Sequence, residues 1–262
     1  MRKIVFCSLV LSGALLFAGC NKQAAPAPTS TPKAHISNAN VNLEPVNQRP
    51  YVWLAPSGTE DPYGPGKSLV INVTDLKQNS KTFDYEVEYD AGSLVQGFFD
   101  SATNVTLPYK STKLFGTCST GGKCTFNTGV TGGTLTIQFD NNVTLQQEWS
   151  WSDVRGNTIF PSRDGKFGVD LSGAKTKATN AVVYQTPGYP GTAPGEIVAG
   201  PYTVGFNAAV TGTVKANMHV GDVQATIYGY DGKQWNALKT TVSNGQASAV
   251  GDLMQAYMAV KK

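Results

Sequence analysis

Residues 82–90, TFDYEVEYD, set Phe83, Tyr85, Val87 and Tyr89 between Asp84, Glu86 and Glu88. A strand with that alternation has one apolar face and one acidic face. Shorter versions of the pattern occur in YVWLA from Tyr51, SLVINVT from Ser68, NVTLPY from Asn104, TLTIQF from Thr134 and VTLQQEWSW from Val143. Turn signals lie between them: PSG, GPG, DAG, TGG and DNN. No segment sustains a helical period flanked by caps. The pattern predicts an all-β chain, with an Ig-like antiparallel β-sandwich over residues 46–175.

A second break in the pattern falls at residues 176–200, where QTPGYPGTAPGEIVAGP is dense in Gly and Pro and leaves room for one short strand at 181–184. It reads as a Gly/Pro-rich linker. Beyond it, PYTVGF, VQATIYGY, an Asp231–Gly232 turn, KQWNALKTTV, an SNG turn and a closing AYMAV predict a smaller β domain at 201–262. GDLMQAYMAV fits a short helix or a strand equally well. A unit of about 60 residues is near the lower limit for an independent core, so a single two-part β domain stands beside the two-domain reading.

The pattern is different before residue 46. Arg2 and Lys3 precede an apolar run from Ile4 to Phe17, followed by small residues and Cys20. This is the layout of an export signal, and the run is shorter than the roughly twenty residues of a spanning helix. The segment Phe17, Ala18, Gly19, Cys20 is similar to the lipobox of bacterial lipoproteins, whose usual Leu three places before the Cys is here Phe17, with Leu16 one further back. The resemblance implies a signal peptide at 1–19, cleavage before Cys20 and lipidation of its thiol. Two or three acyl chains on one residue make membrane attachment durable. It also implies a place in the cell envelope, and Asn21 after the Cys favours the outer membrane over the inner where there are two. Residues 20–45 then hold the lipidated Cys and a Pro-, Ala- and Asn-rich tether that cannot bury enough surface to order itself.

Composition narrows the function classes. Loss of the leader would leave 19 basic against 18 acidic residues. A balance so close to neutral gives no electrostatic footprint for nucleic acid. Cys118 and Cys124, in FGTCSTGGKCTF, flank a Gly-containing turn and are expected to form a hairpin disulfide in an oxidising compartment. Closing so short a loop is worth about 2 kcal/mol. The GKS of DPYGPGKSLV lacks the upstream Gly and following helix of a phosphate-binding loop. The NVT triplets at Asn72, Asn104 and Asn142 read as strand composition. Only His35 and His219 exist, and no nucleophile motif accompanies them.

The stretch QEWSWSD, residues 147–153, is the most suggestive. Trp149 and Trp151 are two apart and share one strand face, as do Gln147 and Asp153. Exposed, the indoles would form an aromatic platform for sugar rings, with Gln147 and Asp153 as polar partners. Covered, they fill the sandwich core. The loop around Tyr189 is a weaker candidate, with a hinge as its plainer role. These observations point to a non-catalytic binding or adhesion module for a glycan, envelope polymer or partner protein, with no catalytic residues, metal or cofactor. An envelope hydrolase or its accessory subunit, and a structural spacer or assembly component, are the alternatives.

Overall fold

The computed structural model describes residues 40–262, and Cys20, the leader and most of the tether lie outside the described residues. The described chain is all-β and antiparallel. Its strands are β1 (Tyr51–Pro56), β2 (Ser68–Asp75), β3 (Phe83–Ala91), β4 (Leu94–Ala102), β5 (Tyr109–Leu114), β6 (Gly116–Cys118), β7 (Cys124–Phe126), β8 (Val130–Phe139), β9 (Thr144–Asp153) and β10 (Ile159–Pro161). They continue with β11 (Phe167–Thr176), β12 (Asn180–Tyr184), β13 (Ile197–Phe206), β14 (Val210–His219), β15 (Ala225–Tyr230), β16 (Trp235–Ala237), β17 (Thr240–Ser243), β18 (Gln246–Gly251) and β19 (Ala256–Lys261).

One sheet organises the whole. Nine strands run in the order β16-β15-β19-β13-β12-β9-β8-β3-β4, and two smaller sheets, β1-β2-β5 and β10-β11-β14-β18-β17, pack against it. The alternation in β12 shows where. Val182 and Tyr184 join the core under β1 and β2, with Leu54, Ile71, Tyr85, Leu135 and Trp149. Ala181 and Val183 join a second core with Phe167, Val169, Val214, Met218 and Tyr257. Successive side chains of a strand point to opposite faces, so the two small sheets lie on opposite faces of the large one and overlap at β12. Hence NAVVY is an apolar run without alternation, as a strand covered on both faces must be.

This arrangement corrects the expected boundary at 176–200. Residues 180–184 are an interior strand of the shared sheet, paired with β9 on one side and β13 on the other. The Gly/Pro-rich stretch after them is a packed cover. Tyr189 is buried against Met258 and Val260, and the Lys77 ammonium donates to the Tyr189 carbonyl at 2.6 Å. The Trp235 indole N–H donates to the Pro190 carbonyl at 3.0 Å. AYMAV is a strand, β19, at the centre of the second half.

Two other expectations shift. NVTLPY does not form a strand over 104–108, and pairing resumes only at Tyr109. The described end of the tether is docked: the Asn42 amide donates to the Thr144 carbonyl, and its side chain donates to the Gln146 carbonyl at 2.8 Å. Cys118 and Cys124 face each other across the β6–β7 hairpin and are joined by a disulfide.

Candidate functional site

Trp149 and Trp151 share a face, as their spacing requires, but β1, β2 and β5 cover that face. Trp149 is completely buried and Trp151 is 8% exposed, which overturns the exposed two-indole platform. Phe115 lies between them, stacked on Trp149 at 6.1 Å and edge-on to Trp151 at 5.0 Å. Gln147 is also buried, its amide donating to the Asn42 carboxamide oxygen at 3.2 Å. Of the four candidates, only Trp151 and Asp153 reach a cleft.

That cleft, of about 250 Å³, is lined by Gly66, Lys67, Phe115, Asn127, Trp151, Asp153 and Asn180 among others. Its walls come from three places. The β1–β2 loop supplies Gly66 and Lys67, and the segment holding the disulfide hairpin supplies Phe115 and Asn127. The ends of β9 and β12 supply Trp151, Asp153 and Asn180. Lys67 lies over the Phe126 ring at 5.2 Å. Asp153 pairs with Arg155 at 2.6 Å, and the hydrogen bonds from that guanidinium hold its carboxyl below the usual range.

A second cleft, of about 270 Å³, was not anticipated from sequence. It lies on the outward face of β1-β2-β5, where Trp53 sits opposite Asn72 and Asn72 opposite Lys110. This makes a cross-strand row of indole, carboxamide and ammonium. Val70 forms the floor beside the row, and Glu60, Phe206 and Asn207 form the rim. Asn72 is 7% exposed although it faces outward, because the rim recesses it. The Trp53 N–H is buried without an acceptor, leaving the ring carbons as the part of the indole that meets the cleft. The sequence signal was present in YVWLA: Val52 and Leu54 alternate with Trp53, so one set had to face away from the core.

The two clefts flank the β1–β2 loop, residues 57–67, with Gly58 and Glu60 on one side and Gly66 and Lys67 on the other. The Gly66 amide donates to the Ser57 carbonyl and closes the loop base. Asp61 is nearly buried in this loop and accepts the Tyr63 amide at 3.0 Å. Burial pushes its pKa up, but the Ser57 and Ser68 hydroxyls and the Tyr63 amide outweigh that and hold it below the usual value. Asn180 and Asn207, one lining each cleft, are tied together. The Asn207 side-chain oxygen accepts the Thr179 and Asn180 amides at 2.9 and 3.2 Å.

His219 opens onto a different cleft, of about 350 Å³, with Asp164, Lys166, Gln185 and Tyr202. Asp164 accepts the Ser162 hydroxyl at 2.5 Å, the Tyr202 hydroxyl at 2.7 Å and the Lys166 amide at 3.0 Å. Burial raises its pKa, but these donors overcome the effect and keep the carboxyl ionised below the usual range. It acts as the pin of the β10–β11 turn. Among the described residues, no three or more His, Cys, Asp or Glu side chains gather as metal ligands do.

No protein-family model, curated protein or solved structure matches this chain.

Proposed function

We propose that the protein is a membrane-anchored, extracytoplasmic lipoprotein that binds a glycan or glycan-containing envelope polymer in the paired clefts beside the 57–67 loop. The Trp53–Asn72–Lys110 row carries the reading. An indole face packs against the C–H face of a sugar ring. The carboxamide both donates and accepts, and the ammonium donates to hydroxyl or carboxylate oxygens. The three residues stand on adjacent paired strands, so their backbones need no reordering on binding. The neighbouring cleft, with Asn127, Asn180, Lys67 and Asp153, offers further polar groups on the other side of the 57–67 loop, which suits an extended ligand.

The Ig-like character of residues 46–175 belongs to the same proposal. The order β1-β2-β5 facing β4-β3-β8-β9 supports it, because such sandwiches gather their loops at the ends and use them for recognition. Asp164, engaged by three donors, is a poor general acid for chemistry in the His219 cleft.

The test is a glycan array probed with the full chain. Binding is expected, with at least a tenfold loss in Trp53→Ala and in Lys110→Ala and no loss in Lys233→Ala, an exposed turn residue that lines neither cleft. An array that stays blank, or binding indifferent to both substitutions, refutes the site. For the anchor, acyl-chain labelling in cells should mark the wild type and not Cys20→Ser. Equal labelling of both removes Cys20 as the attachment point.

A further inference from the structure

The Trp53 cleft does not end at Asn207. Ala208 lines it and also lines a neighbouring cleft of about 360 Å³, whose other walls are Lys175, Thr176, Lys177, Ala209 and Thr211. The two form one continuous depression across the turn between β13 and β14. Hydrogen bonds fix the segment that carries the two lysines to that turn. The Thr176 hydroxyl donates to the Ala209 carbonyl at 2.8 Å, and the Thr211 hydroxyl to the Lys175 carbonyl at 3.4 Å. Asn207 holds the Thr179 and Asn180 amides just beyond.

Charge is one-sided along this depression. Lys110, Lys175 and Lys177 are exposed and line it, and among the described residues none of the three pairs with a carboxylate. Residues 1–39 hold no Asp or Glu, so no side chain there can neutralise them. The one acidic lining residue is Glu60, whose carboxylate accepts the Gly58 amide at 3.4 Å. Three ammoniums against one carboxylate leave a local positive excess, which the nearly balanced composition of the whole chain conceals.

We infer that the glycan held at the Trp53 cleft is acidic, carrying carboxylate or phosphate groups on successive units. Lys110 takes one such group beside the indole, and Lys175 and Lys177 take the next on the Ala208–Ala209 shelf. This rests on the glycan reading and names the class of its ligand. An ammonium is a compact, strongly hydrated point charge that donates and never accepts. Its hydrogen bonds to anionic oxygens are roughly twice as strong as those between neutral groups. A neutral sugar would leave the two shelf lysines without a matching partner. Ala208 and Ala209 are small and leave the polymer a path between the two cationic ends.

The glycan array of the full chain is therefore read by charge class, and acidic glycans are expected among its ligands. The tightest of them is titrated against the wild type and a Lys175→Gln/Lys177→Gln chain, with its carboxyl-reduced or dephosphorylated form as the matched neutral probe. The wild type should prefer the acidic form at least tenfold. The double variant should lose most of that preference with unchanged circular dichroism. Sodium chloride at about 1 M should abolish the preference, because exposed charges are screened there. Ligands that are all neutral, or a preference that the double variant keeps in full, overturn this inference; if Trp53→Ala still loses binding, the glycan site stands without it. Equal binding of polyglutamate also overturns it, as a response to charge without sugar. A blank array removes the site and this inference together.

Discussion

Single residues show how context decides what a side chain does. Trp149 and Trp53 are both strand tryptophans, yet one is sealed in the core and the other borders a cleft. The spacing of Trp149 and Trp151 told correctly that they share a face. Which face the second sheet would cover was not legible, because that depends on strands 80 residues away. Asp61 gives a residue-scale prediction. Its folded pKa is depressed, so its contribution to stability is full above the unfolded value of about 3.9 and is lost as pH falls through the lower folded value. Asp61→Asn should therefore flatten the acid limb of the stability curve below about pH 5. Chemical denaturation across pH 2–7 measures this. Parallel acid limbs for the two proteins would contradict it.

At the level of elements, alternation was the reliable signal wherever one face is wet. β3 was legible nearly to the residue because Asp84, Glu86 and Glu88 all stay on the outer face. β4 was missed because an edge strand with Gly97 at its centre shows no clean alternation. β11 and β14 were also missed, their patterns broken by small residues and by a bulge between Asp170 and Gly173. The junction between β1 and β13 yields a further prediction. A Cβ on Gly205 would overlap the Leu54 carbonyl oxygen and come within 2.8 Å of the Ala55 Cα. Those atoms are backbone and cannot swing aside. Gly205→Ala should cost about 1–3 kcal/mol, as overpacking does. Equilibrium urea unfolding is the check, and an unchanged midpoint would show that β1 does not lean on this strand.

The whole molecule is organised by the nine-stranded sheet. A linker was expected from the Gly and Pro content of residues 176–200, yet composition cannot say whether such a segment hangs free or packs. Here its chain reversals let it lie flat over β19, while β12 ties the halves into one sheet. The same arrangement fixes the candidate site. β1 and β2 present Trp53 and Asn72 beside the exit of β13, and the end of β12 presents Asn180 on the other side of the loop. Recognition at this rim is the central claim, and ligand titration followed by tryptophan fluorescence tests it most directly. Adding an array-positive glycan should change the wild-type emission in a saturable way, and Trp53→Phe should remove most of that change while retaining the fold. A saturable change of full size in Trp53→Phe, or none in the wild type, would contradict it.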